Sequence, residues 1–161
     1  MEIKVIYFSK TGNTKKIAKA IGEAVGVQAQ AISEVPSLDK PVDLLFLGGA
    51  LYFGSLNKDF EAWIKSLDPT KIKYTALFST NNSEKDAILT MKAALEQKGI
   101  LVVDERYHSL GKFLGFQKGH PDASEEAKAG EFARQVISLY FPPESEKEPE
   151  EADPAEKENL K

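Results

Sequence analysis

The chain has 161 residues, a length that suits one domain of about 150. Hydrophobic residues make up 42% and charged residues 29%, with a formal net charge of −4, so a core can form and no electrostatic pull toward nucleic acid or an anionic membrane is expected. Cysteine is absent, which excludes disulfides, thiolate nucleophiles, iron–sulfur ligation and cysteine zinc sites. With only His108 and His120 as imidazoles, no metal site is expected. No basic leader precedes a long apolar run, and no run approaches the ~18 residues of a membrane span. A cytoplasmic protein is the expectation.

Strand signals alternate with helix signals along residues 2–141. Ile3 to Phe8 is rich in β-branched and aromatic residues and reads as a strand. Ile17, Ala18, Ile21, Ala24 and Val25 then recur at helical spacing. Val27 to Ile32 reads as a second, less apolar strand suited to an edge. Asp43 to Leu47 is nearly all apolar, as a strand covered on both faces should be. Between these two strands, Ser33 to Val42 includes two prolines and is short for a full helix.

Leu56, Phe60, Trp63, Ile64 and Leu67 mark the next helix, which Asp68-Pro69 stops. Tyr74 to Ser79 gives a fourth strand. Ser83 with Asp86 resembles a capping box, and Ala87, Ile88, Met91, Ala94 and Leu95 supply the apolar face behind it. Gly99 ends that helix, and Ile100 to Val103 follows as a fifth strand. A last helix opens near Asp122, with Glu125 as its box partner. It turns Ala129, Phe132, Ala133, Val136, Ile137 and Tyr140 inward. Pro142 to Lys161 holds eight acidic residues, three lysines and four prolines, with almost nothing apolar. It cannot offset its own ordering entropy and is expected to be a disordered acidic tail, 142–161.

This alternation predicts a parallel sheet between two helical layers, with right-handed crossovers. Ligands of such sheets bind outside the carboxyl ends of the strands. After the first strand come Ser9, Lys10, Thr11, Gly12, Asn13 and Thr14. A tight turn there, leading into a helix, aims neutral hydroxyl and amide donors at one point, as a phosphate cradle does. Ordinary capping of the helix by Thr11, Asn13 or Thr14 explains the same residues. The spacing is neither that of a Walker A loop nor that of a dinucleotide fingerprint.

After the third strand, Gly48-Gly49-Ala50-Leu51-Tyr52-Phe53-Gly54-Ser55 places two aromatics between glycines. They can stack on a flat heterocycle, or one of them can pack beneath the loop. After the fourth strand, Ser79-Thr80-Asn81-Asn82-Ser83 can bond a heterocycle edge or cap the next helix. After the fifth, Asp104 to Gly119 reads as a long loop holding His108, Lys112, Phe113 and Phe116.

Taken together, the Ser9–Thr14 loop and the Gly48–Gly54 loop resemble those of the flavodoxin family, across about residues 2–141. Gly119-His120-Pro121-Asp122, before the last helix, adds to the likeness. The family is a standard example of strand order 2-1-3-4-5, with FMN at the point where the order reverses. The resemblance therefore implies a doubly wound five-stranded α/β domain over residues 1–141, with helices on both faces. It implies non-covalent FMN, with Ser9, Thr11, Gly12, Asn13 and Thr14 holding the phosphate and Lys10 directed outward. Tyr52 or Phe53, in the stretch Ala50, Leu51, Tyr52, Phe53 and Gly54, would lie against the isoalloxazine ring. The Gly54 region would offer a backbone carbonyl near the flavin N5. Thr80, Asn81 and Asn82 would approach the ring from its other side.

The phospho-receiver alternative within the same fold class fails. It needs acids after the first strand and an aspartate ending the third, where this chain has Tyr7-Phe8-Ser9 and Phe46-Leu47-Gly48. The implied activity is electron transfer between redox partner proteins, by a monomer or weak dimer. The alternatives are an FMN-dependent NAD(P)H:quinone-type oxidoreductase and a flavodoxin-fold binding module with a degenerate site.

Overall fold

The computed structural model describes residues 1–80, 87–110 and 119–146. Among them run β1 (Ile3–Tyr7), α1 (Asn13–Val25), β2 (Ala29–Ala31), β3 (Val42–Gly49) and α2 (Lys58–Ser66). They continue with β4 (Ile72–Thr80), α3 (Ala87–Gln97), β5 (Val102–Ser109) and α4 (Ala123–Tyr140). Short 3₁₀ turns span Ile32–Glu34, Pro69–Lys71 and Glu144–Glu146. The sheet order is β2-β1-β3-β4-β5, and every pairing is parallel. The five-stranded doubly wound α/β fold expected from the alternation is the fold observed.

Two cores cover the two faces. On one, Leu45, Leu47 and Leu77 of the sheet pack with Phe60, Trp63 and Ile64 of α2 and Ile88, Met91 and Leu95 of α3. On the other, Leu44, Phe46 and Phe78 pack with Ile17 and Ile21 of α1 and Phe132, Ala133 and Val136 of α4. The alternation of Leu44, Leu45, Phe46 and Leu47 between the cores is the period of two of an extended strand. Because both faces are buried, the run carries no polar residue to reveal that period.

Several boundaries move. β2 covers Ala29–Ala31 rather than Val27–Ile32. At its start, Gly26 closes α1 in the left-handed region and the Val27 N–H donates to the Gly22 carbonyl. At its end, Ile32 opens a 3₁₀ turn that takes the place of a crossover helix. The expected edge position of β2 holds. β3 continues through Gly48 and Gly49, which are strand residues rather than loop residues.

The largest correction concerns β5. Asp104 to Ser109, read as the start of a long loop, is strand, and His108 stands on it opposite Ser79. This edge strand alternates exposed Asp104, Arg106 and His108 with more buried neighbours, so its charge hides its conformation. Charged side chains on an edge also discourage pairing with another chain. The Ser83–Asp86 capping box, residues 111–118 with Lys112, Phe113 and Phe116, and most of the acidic tail lie outside the described residues. No helix among the described residues is long and apolar enough to cross a membrane.

Two features of β4 and β5 have measurable consequences. The Thr75 hydroxyl is buried without a hydrogen-bond partner, where the β4–β5 register shifts between Thr75 and Leu77. Thr75→Val replaces that orphaned oxygen with a methyl group and is expected to stabilise the fold by about 1 kcal/mol. The check is a raised urea midpoint with an unchanged slope.

The Tyr107 hydroxyl donates to the Glu125 carbonyl at 2.6 Å. Burial first, then the Glu125 charge, push the phenol from 10.0 up to about 12. Below pH 10 the phenol is protonated in both states and its contribution to stability is complete. Between pH 10 and about 12 only the unfolded chain releases the proton, so stability falls as pH rises. The unfolding midpoint is expected to drop across that window, and to drop less in Tyr107→Phe.

Candidate functional site

Parallel pairing brings the residues that follow β1, β3 and β4 to one rim of the sheet. At β1 the chain leaves through Phe8, whose N–H donates to the Gly48 carbonyl at 3.0 Å. The turn that follows is closed by the Gly12 N–H donating to Ser9 Oγ at 3.0 Å. Gly12 itself, at φ +88°, is the residue from which α1 starts, and a Cβ there would meet nothing within 4 Å.

The N-cap of α1 is Gly12, which has no side chain to cap it, and among the described residues its first turn holds no acid. The other helices with a described start are treated differently. Asn57 Oδ1 accepts from the Asp59 and Phe60 N–H groups at the start of α2. Asp122 and Glu125 form the expected capping box at the start of α4. Among the described residues, neither Thr11 nor Thr14 caps the helix, and Thr14 turns its hydroxyl to Thr80 instead. The helix start keeps its partial positive charge toward the rim, and exposed Lys10, Lys15 and Lys16 add to it.

Thr14 points inward from the first turn of α1. It is 1% exposed, and its Oγ1 lies 2.7 Å from Oγ1 of Thr80, which is 4% exposed. Thr80 thus meets the proposed phosphate loop through its side chain. Asn81 and Asn82, its expected companions, lie outside the described residues.

The loop after β3 forms a tight turn. Tyr52 and Ser55 exchange backbone hydrogen bonds of 2.8 and 3.1 Å around Phe53 and Gly54, at φ +51° and +82°. Two central residues with positive φ are the mark of a primed hairpin turn, and glycine serves the second position at no steric cost. Phe53 occupies the first position despite its side chain and is 93% exposed.

Tyr52 instead folds back on the first loop. Its hydroxyl accepts the Lys10 N–H at 3.0 Å, and the Lys10 ammonium sits 5.2 Å from its ring centroid. Burial raises the pKa of its phenol. The ring of Phe8 joins the two loops to the core, edge-on to Tyr52 at 6.0 Å and stacked on Phe60 at 5.9 Å. Ala50 is buried and Leu51 packs against the core.

Sequence reasoning missed three contacts here. Thr14–Thr80 and Lys10–Tyr52 join positions far apart in the chain, which no local spacing announces. Phe8 read as the end of a strand, not as the post on which both loops rest. On the opposite flank, Ser79 Oγ, 1% exposed, lies 3.0 Å from His108 Nδ1. Near the start of α4, His120, Asp122 and Glu125 converge. The Glu125 carboxylate there accepts the Asp122 N–H at 2.7 Å and lies 2.8 Å from His120 Nδ1, as part of the helix cap.

The donor set suits a phosphate: neutral hydroxyls and a helix start with glycine as its N-cap, with no carboxylate in that turn and open space above Gly12. The fold and this rim define an open α/β protein with a hydroxyl-rich turn at the start of α1 beside an aromatic turn after β3. Residues 4–110 match the flavodoxin domain, and the chain belongs to the flavodoxin family. It is similar to a flavodoxin of Clostridium saccharobutylicum, 32% identical over 134 residues, 74% of this chain and 80% of that protein. It is also similar to an uncharacterized protein of Methanocaldococcus jannaschii, 29% identical over 136 residues, 78% of this chain and 90% of that protein.

Among solved structures, a flavodoxin from the domain Archaea superposes with a TM-score of 0.71 at 20% identity, covering 87% of this chain and 99% of that one. An NADH:FMN oxidoreductase, EMOB, shares the fold with a TM-score of 0.60 at 14% identity, covering 96% and 97%.

Proposed function

We propose that this chain binds FMN without a covalent bond and carries electrons between redox partner proteins. The observation that supports this most is the hydroxyl-lined start of α1 beside the Tyr52–Ser55 turn. Ser9, Thr11, Gly12, Asn13 and Thr14 hold the phosphate. Tyr52 and Phe53 supply flat apolar surface for the ring, and the backbone from Ala50 through Gly54 supplies hydrogen bonds to its edge. Asn81 and Asn82 are proposed on the ring's far side.

When bound, the flavin supplies the electron-accepting chemistry. The chain's part is to hold the dianion with neutral donors, keep the ring against aromatic side chains and exclude water from its inner face. The domain is proposed as residues 1–141, with 142–161 an appended acidic segment, in a cytoplasmic monomer or weak dimer.

Adding FMN to the purified protein should quench flavin fluorescence and shift the visible bands, and colourless protein that ignores FMN would sink this reading. Shared fold with an NADH:FMN oxidoreductase makes the reductase the competing reading. Rapid bleaching of the holoprotein by NADH or NADPH alone supports the enzyme. Bleaching only after a reductase is added supports the carrier.

A further inference from the structure

We infer that Thr80 is the positioning residue of the phosphate cradle, acting through Thr14, and that it makes the site prefer phosphorylated flavin to riboflavin. The inference rests on the FMN reading above. Thr80 ends β4, two strands from β1 in the sheet, yet its hydroxyl lies 2.7 Å from that of Thr14 in the first turn of α1. Both side chains are almost fully buried, at 4% and 1% exposure.

Two hydroxyls at this distance share one proton between their oxygens, and the other proton turns elsewhere. A phosphate at the helix start only accepts hydrogen bonds. It therefore selects the arrangement in which Thr80 donates to Thr14 and Thr14 donates outward. The hydrogen bond received by Thr14 polarises its own O–H toward the anion. Thr80 need not touch the ligand to do this. A purely structural pair of threonines satisfying one another would affect all ligands alike.

The test compares wild type, Thr80→Val and Thr80→Ser for FMN and for riboflavin, by fluorescence quenching. Thr80→Val should weaken FMN about tenfold, the size of one intramolecular hydrogen bond, and leave riboflavin unchanged. Thr80→Ser should bind FMN as wild type does. In parallel, inorganic phosphate is titrated into the protein while the amide resonances of Gly12, Asn13 and Thr14 are followed. Those shifts should saturate at higher phosphate in Thr80→Val, and Thr80→Ala serves if the valine variant fails to fold.

Equal losses for FMN and riboflavin, or no loss for either, overturn the role of Thr80 while leaving the FMN reading intact. A wild-type protein that responds to neither FMN nor phosphate overturns both.

Discussion

Replacing Thr14 with glutamate is expected to abolish FMN uptake, with affinity lowered at least about 100-fold. The carboxylate would stand in the first turn of α1, where Thr14 now offers a hydroxyl. Near a surface, like charges 4 Å apart repel by about 4 kcal/mol per unit charge, and the phosphate carries close to two. That exceeds the roughly 3 kcal/mol that a 100-fold change requires.

Thr14 is buried, so a charge there also costs stability. Thr14→Val separates the two effects by removing the hydroxyl without adding charge, and it should bind FMN weakly yet measurably. Circular dichroism and thermal unfolding establish that each variant is folded before its affinity is read. Wild-type affinity in folded Thr14→Glu would mean that the loop merely begins a helix.

The second large effect concerns the strand that carries the aromatic turn. Gly48 lies opposite Phe78 in the β3–β4 register, and a Cβ on it would fall 2.0 Å from the Phe78 ring. That ring is fully buried in the core against α1 and α4. Gly48→Ala is expected to destabilise the protein by about 3 kcal/mol, the upper part of the range for overpacked cores. For a chain of this size that is a fall of roughly 10 °C in the unfolding midpoint. Pairing the alanine with Phe78→Leu should recover part of the loss. An unchanged midpoint in the single variant would show that the ring can move and that the glycine is dispensable. Gly49 faces a similar restriction on the other face, where a Cβ would meet Phe60 at 2.4 Å.

These glycines show where reading the chain alone stopped. Standing before Ala50 and Tyr52, Gly48 and Gly49 read as the opening of the loop after the third strand. They are strand residues, and their missing side chains make room for the rings of Phe78 and Phe60. No local pattern separates the two meanings, because the clashing atoms come from elsewhere in the chain. The same limit applied to Asp104–Ser109. A buried strand declares itself by an unbroken apolar run, whereas an edge strand presents charges to solvent and resembles a loop.

Where local physics dominates, the amino-acid order was sufficient. Apolar runs bounded by helical periodicity determined a parallel α/β sheet with helices on both faces, and the lower apolarity of β2 pointed to its edge position. The Asp122–Glu125 cap was equally plain, since both partners lie within one helical turn. The hydroxyl-rich loop was legible as well, but its purpose was not, because capping and anion binding use the same residues. Only the tertiary structure decided that Gly12 is the N-cap of α1, that Thr80 reaches Thr14, that Tyr52 folds onto Lys10 and that Phe53 alone of the two aromatics projects outward. Each of these depends on which distant segment the sheet brings alongside, a matter of long-range packing rather than of spacing along the chain.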